Sequence, residues 1–388
     1  MSSENARYGG DWQDLVVICS GTHWDRWYPS EKHIALRLCA RTPVLYVDPP
    51  SSPIARGRGA ERPTGLRILQ PRLAVLSPRG LPAQSRPVMR SATSFLTRKA
   101  IARAVRALGA KHVRALIVAN HTCLFQAVQA RHRVMFATDD FVAGAGLMGL
   151  GRDYLLAEER KQANEADHVI VVTEKLGEHW RALGQKPILI PNGCDTERFA
   201  DTDMAPWPED VDLPRPIAGV FGHFSERIDL RLLQAVADRG HSLLLVGTLR
   251  SSFSLENLLT RRNVRYVGPK PFEAMPSYLR SIDVGLTPYA DIEFNRASFP
   301  LKTLEYLAAG RPAVSTDLPA ARWLDTDLVR VARDPRAFAD AVDSLMSQPR
   351  TVELARKCQA FARRHSWLAR TEAFAGILGL PEPAANAA

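Results

Sequence analysis

A lysine and a glutamate three positions apart, Lys302 and Glu305, stand near the start of a predicted helix within residues 298–317. Ser298 is the candidate N-cap and Pro300 suits a first helical turn. Leu301, Leu304 and Ala308 recur at i, i+3 and i+7 and are expected to face a core, leaving Lys302 and Glu305 on the adjacent face. Gly310 ends the helix with Arg311-Pro312 just beyond, and 313–316 then reads as a buried strand. Free N–H groups and the dipole at such a helix start favour an anion. Lys302 would add its charge to a phosphate, and Glu305, one turn deeper, could accept hydrogen bonds from a ribose diol. The combination describes a nucleotide-diphosphate site. From composition alone the alternative is a solvated Lys/Glu pair on an ordinary amphipathic helix.

A second group is Asp139-Asp140, directly after the predicted strand 134–138. Ligands of doubly wound sheets bind beyond the carboxyl ends of the strands. A carboxylate there could take the proton of an acceptor hydroxyl, or simply cap the next turn. The run Gly144-Ala145-Gly146-Leu147-Met148-Gly149 matches Gly-x-Gly-x-x-Gly, but residues 139–143 separate it from its strand. The dinucleotide fingerprint needs its first glycine at the strand-to-helix turn, so a loop is the better reading. Trp24, Trp27, Tyr28 and His33 follow the first strand and are either an acceptor surface or core. The ten histidines lack metal-ligand spacing, so no metal is expected.

The elements that would position these groups alternate short apolar strands with helical patterns, which predicts an α/β fold with parallel sheets. In the first half the clearest strands are 15–20, 44–47, 115–119, 134–138 and 169–172. After Asp195 come 217–221, 243–246, 264–267, 284–287 and 313–316. The stretch 201–216, with four prolines and three acids after Met204, reads as a loop leading into the second half.

With 388 residues the chain is long enough for two domains with separate cores. Its five cysteines are scattered and odd in number, which argues against a disulfide framework and for a reducing compartment. No signal peptide is evident, and no apolar run approaches the ~18 residues of a membrane span. The net charge of +10 is uneven: residues 51–115 hold 14 Lys/Arg against the single acid Glu61. On a predicted helix over 93–108, Arg98, Lys99, Arg103 and Arg106 interleave with Phe95, Leu96, Ile101, Ala104 and Val105. Such a surface suits anionic lipid headgroups, or reflects an arginine-rich proteome. The lack of aromatic interleaving and of a recognised DNA-binding motif argues against nucleic acid.

The run Glu305-Tyr306-Leu307-Ala308-Ala309-Gly310-Arg311-Pro312-Ala313-Val314 resembles the donor-binding helix of GT-B glycosyltransferases related to glycosyltransferase family 4. That motif ends in Glu-Ala-hydrophobic-Ala-x-Gly-x-Pro-Val-Val. Residues 190–199, Ile-Pro-Asn-Gly-Cys-Asp-Thr-Glu-Arg-Phe, are similar to the family's Pro-Asn-Gly-Val-Asp-x-x-x-Phe segment at the interdomain linker. The resemblance covers most of the chain. It implies the GT-B fold: an acceptor-binding Rossmann-like domain over 1–192 facing a nucleotide-sugar-binding one over 193–365. A helix over 366–380 would cross back to the first domain, ahead of a disordered tail, 381–388.

The activity implied is metal-independent transfer of a sugar from a nucleotide diphosphate sugar to a hydroxyl, on a glycan or a lipid-linked acceptor. No cofactor beyond that donor is implied. The expected location is cytoplasmic, peripheral on the inner face of the membrane. The resemblance makes one of Asp139 and Asp140 the base, with Asp139 preferred. It places 222–227 in a loop at the donor diphosphate, where Gly222 admits backbone to the phosphates and Arg227, or Arg231, neutralises charge. His223 is expected to be a loop residue. Many family-4 enzymes carry a first glutamate eight positions before the second. Here that position is Ala297, the nearest acids are Asp291 and Glu293, and the choice between retention and inversion stays open. Two alternatives share the fold: a sugar-nucleotide epimerase, and an inactive scaffold in a membrane glycan assembly. Base glucosylation of DNA is a weaker third.

Overall fold

The structure is a computed structural model and describes residues 11–26, 28–51, 64–83 and 86–381. Trp27, the basic residues Arg56 and Arg58, the acid Glu61 and the tail beyond Pro381 lie outside the described residues. Among the described residues, those of Met1–Pro191 and Arg370–Ala388 form one compact unit and those of Asn192–Ala369 another. The last helix, Trp367–Ile377, thus begins in the second unit and ends in the first.

The first unit is built on β1 (Asp14–Ser20), β2 (Val44–Val47), β3 (Gly65–Gln70), β4 (Leu73–Ser77), β5 (His112–Ala119), β6 (His132–Ala137), β7 (His168–Val171) and β8 (Ile188–Leu189). They form one sheet in the order β3-β4-β2-β1-β5-β6-β7-β8, parallel except for the β3–β4 pair. β1, β2 and β4 are buried nearly end to end, as expected of strands covered by helices on both faces. Phe374, on the last helix, packs edge-on against Phe136 of β6.

The second unit holds β9 (Ile217–Phe224), β10 (Ser242–Leu249), β11 (Val264–Tyr266), β12 (Val284–Thr287), β13 (Ala313–Thr316) and β14 (Val329–Ala332). Their order is β11-β10-β9-β12-β13-β14, parallel throughout. In each sheet the strand order reverses once near the centre, beside β1 in the first and beside β9 in the second. Those reversals open the crevices where doubly wound sheets take ligands. Below the second sheet, Leu232, Leu233 and Val236 of helix Leu230–Asp238 and Phe338 and Val342 of helix Pro335–Met346 pack into one core with β9 and β10.

β9 continues through Gly222, His223 and Phe224, correcting the expectation of a loop from Gly222 onward. The reason is a neighbouring glycine. Gly222 pairs with Gly247 of β10, and both carry positive φ, 143° and 147°. A Cβ on Gly247 would fall 1.6 Å from the Gly222 carbonyl oxygen. Two glycines let the ladder run past a backbone approach that side chains would block. Among the described residues no helix is long and apolar enough to cross a membrane.

Candidate active site

In the second unit the site is assembled around helix Leu301–Ala308. Leu304 and Ala308 are buried as the i, i+3, i+7 pattern expects, whereas Leu301 is only half-buried, and Tyr306 and Leu307 join the core beside them. Tyr306 fastens the helix to the switch point: its hydroxyl accepts from the Phe221 N–H at 3.0 Å and donates to the Leu286 carbonyl at 3.2 Å. That hydroxyl therefore bridges β9 and β12 where they diverge. Its ring lies so close to Gly285 that a Cβ there would meet the ring at 2.1 Å. Tyr306→Phe leaves the Phe221 N–H unsatisfied in the core and is expected to lower stability by about 1–3 kcal/mol, read in a denaturant melt of the second unit's signal.

With the helix so held, Lys302 and Glu305 stand on its outer side. Lys302 Nζ lies 2.7 Å from Glu305 Oε2, and the two side chains are 26% and 15% exposed. The structure thus joins the two expected ligand groups as an ion pair, which an incoming phosphate would share or split. Ser298 does not cap this helix. The preceding residue is Pro300, and Ser298 instead ends the short helix Glu293–Ala297, its hydroxyl donating to the Phe294 carbonyl at 2.9 Å. The Pro300 ring, without an N–H, forces the chain to turn between the two helices, and this moves the cap two positions past the expectation.

Arg227, Tyr289, Asn295, Ser298, Phe299, Pro300 and Ser315 line one small cavity at the entry to the 301–308 helix. Arg227 is fixed there on three sides. Its Nε donates to Asn295 Oδ1 at 2.9 Å, and the guanidinium lies over the rings of Tyr289 and Phe294. Asn295, buried, returns its amide to the carbonyls of Arg227 and Ala290. Sequence reading missed Asn295, whose only signal was a polar residue two positions before Ala297, where the family's acid is absent. Gly222 lines the adjacent cavity between the ends of β9 and β12, which also reaches Tyr289. Arg231, the other candidate, faces away in a bidentate pair with Asp229. Asp291 is likewise spent on Arg296. His223 is exposed on the strand, and burial of its inner edge together with Arg227 holds its pKa below the usual value.

In the first unit Asp139 and Asp140 follow β6. Asp140 is a turn cap: its Oδ1 accepts from the Ala143 N–H at 2.8 Å and its carbonyl from the Gly144 N–H. Asp139 is half-buried and lies within electrostatic reach of Glu31, a residue sequence reading passed over. Glu31 belongs to helix Ser30–Leu38, whose first residues are polar yet buried. Trp24 is core, edge-on to Tyr46, while Lys32 Nζ sits 3.7 Å from the Tyr28 ring centre and donates to the Trp24 carbonyl. Among the described residues no group of three or more His, Cys, Asp or Glu side chains is arranged to hold a metal.

Residues 220–348, which contain all of the second-unit site, match the family model described as glycosyl transferases group 1. The second unit is a glycosyl transferases group 1 domain. Two solved structures superpose on almost the whole chain. The sucrose-phosphate synthase of Thermosynechococcus elongatus does so with a TM-score of 0.75 at 16% identity, over 94% of this chain and 98% of that one. Anabaena Alr3699/HepE, in complex with UDP and glucose, reaches 0.68 at 14% identity, over 95% and 99%. The fold is therefore GT-B. A Bacillus subtilis protein named as a teichuronic acid biosynthesis glycosyltransferase, TuaH, is 28% identical over 188 residues, 44% of this chain and 47% of its own length. The D-inositol 3-phosphate glycosyltransferase of Corynebacterium urealyticum is 32% identical over 117 residues, 29% and 26% respectively. The chain thus spans less than half the length of these curated relatives.

Proposed function

We propose that this protein is a glycosyltransferase that moves a sugar from a nucleotide diphosphate sugar to a hydroxyl of a glycan or lipid-linked acceptor. The observation that carries the reading is the 301–308 helix, fastened by Tyr306 at the sheet's switch point and presenting Lys302 beside Glu305. The diphosphate would sit at the start of this helix, against Lys302, Arg227 and the backbone near Ser298 and Gly222, with the ribose on Glu305. These positive groups, preorganised before the donor arrives, would stabilise the charge that develops on the departing diphosphate. Asp139 would take the acceptor's proton, with Asp140 capping the next turn. HepE was solved with UDP and glucose, and TuaH is named for teichuronic acid biosynthesis; both support this choice of donor and acceptor classes.

The test is acceptor-dependent release of nucleoside diphosphate from UDP-, GDP-, ADP- and dTDP-sugars, with glycan and polyprenyl-lipid acceptors. Release that requires an acceptor supports the reading. Conversion of the nucleotide sugar without acceptor would instead identify an epimerase, and binding without any turnover would identify a scaffold.

Membrane docking is part of the proposal. Helix Pro87–Ala107 buries Thr93, Thr97, Ile101, Ala104 and Val105 and turns Val88, Phe95 and Leu96 outward, 78%, 51% and 43% exposed. Lys99, Arg103 and Arg106 are exposed on the same helix, and Arg86 is exposed at its N-cap. Apolar side chains among cations fit an anionic bilayer surface. The protein is expected to co-float with vesicles containing phosphatidylglycerol and not with neutral phosphatidylcholine ones. Replacing Phe95 and Leu96 by Ser should weaken that binding at least tenfold; equal binding to both vesicle types would refute it.

A further inference from the structure

Four arginines stand in the segments that follow β9, β10 and β12, and three of them are held by carboxylates. Arg231 pairs with Asp229, Arg250 with Glu226 and Arg296 with Asp291. Arg227 is the exception: among the described residues it has no ion pair, and a neutral amide holds it instead. Its Nε donates to Asn295 Oδ1 at 2.9 Å, and its Cζ lies 4.7 Å from the centre of the Phe294 ring and 5.5 Å from that of Tyr289. Its two terminal nitrogens have no hydrogen-bond partner among the described residues.

Asn295 is 2% exposed and can hold this arginine in one orientation only. Its Nδ2 donates to the carbonyls of Arg227 and Ala290, at 2.9 and 2.8 Å. Turned over, the amide would set its oxygen against two carbonyl oxygens and its NH2 against the arginine's own N–H. The Arg227 carbonyl also accepts from the Ala290 N–H at 2.8 Å, and Ile228 bridges to Tyr289, so the two segments are strapped together. One buried side chain thus fixes the arginine at its main-chain carbonyl and at Nε. A carboxylate at 295 could also take Nε, but it would neutralise the guanidinium and face both carbonyls with a like charge.

We propose that Asn295 is a positioning residue for the donor's diphosphate. It sets the terminal nitrogens of Arg227 for a phosphate at the cavity these residues share with Ser298 and Pro300, at the entry to the 301–308 helix, and leaves the guanidinium its whole charge. Two parallel N–H donors suit a phosphate, and the rotamer freedom a long side chain would lose on binding is already lost on folding. This role rests on the nucleotide-sugar reading given above.

A double-mutant cycle tests it. UDP, GDP, ADP and TDP are titrated by calorimetry into the wild type, Asn295→Ala, Arg227→Ala and the double variant. Asn295→Ala is expected to weaken the nucleoside diphosphate that the wild type binds about two- to tenfold, the cost of ordering one long side chain. In the Arg227→Ala background the same substitution should cost nothing further. A merely structural role would cost the same in both backgrounds, and that result would overturn the inference alone. The charge is tested separately by Asn295→Asp, which should lose about tenfold or more, with affinity recovering as acid protonates the new carboxyl. Affinity equal to the wild type in Asn295→Asp would refute the neutral holder. If the variants at 295 do not fold, the wild type still decides: the NMR signal of the Arg227 Nε–H, identified by its absence in Arg227→Lys, should be protected from solvent exchange before any nucleotide is added. Rapid exchange would overturn the proposal. Failure of the wild type to bind any of the four would instead reject the donor reading, and this role with it.

Discussion

Lys302→Ala is expected to lower sugar transfer about a hundredfold or more while leaving the melting temperature of the free protein nearly unchanged. Two quantities separate these effects. In the free protein Lys302 is partly exposed and its ion pair with Glu305 joins neighbouring turns of one helix. Such a pair contributes under about 1 kcal/mol. When the donor is bound, the same ammonium would face a diphosphate whose charge grows as the glycosidic bond breaks. Charge stabilisation of that kind acts mainly in the transition state, so kcat should fall more than KM rises. Steady-state kinetics beside a thermal melt reads both. Glu305→Ala should behave differently, raising the donor KM through the lost ribose contact. Equal kinetics in Lys302→Ala and wild type would remove the helix from the mechanism.

The second large effect is on the acceptor side. Asp139→Asn is expected to cut kcat by about 10²–10⁴-fold and to leave nucleotide binding as in the wild type. Asparagine fills the same space but cannot take a proton. Asp140→Asn should be milder, because an amide oxygen can still accept from the Ala143 N–H that Asp140 now caps. Full turnover in Asp139→Asn together with loss in Asp140→Asn would exchange the two roles. Losses in both transfer and nucleotide binding would mean that the substitution had disturbed more than the proton transfer.

What the sequence made legible follows from how local each signal is. Strands 44–47, 284–287 and 313–316 coincide with their expected bounds, because short apolar runs between helical patterns have one burial solution. The hairpin of β3 and β4 went unread: β3 is largely solvent-facing and its residues show no buried run. Gly222 was recognised as special for the right reason, freedom of φ, yet placed in a loop. Its partner Gly247 lies 25 positions away in the next strand, and only the register brings them together. As a cap Ser298 was two residues too early because Pro300 breaks the path between two helices. Arg311 looked like a residue beyond the helix end. It is in fact fully buried, donating to the carbonyls of Leu279, Ile282 and Ala309 and pairing with Asp203. Glu31 gave no signal at all: a glutamate in a Ser-Glu-Lys helix start reads as solvated until the sheet folds over it.

Nucleotide binding is the measurement that reaches the central claim most directly. UDP, GDP, ADP and TDP would be titrated by calorimetry into the wild type and into Lys302→Ala, and followed by thermal shift. A ligand present at a hundred times its Kd stabilises by about 2.7 kcal/mol, enough to see in either method. The account predicts that one nucleoside diphosphate binds selectively and that Lys302→Ala weakens its binding at least tenfold. No binding of any of them at millimolar concentration, or binding indifferent to Lys302, would contradict it.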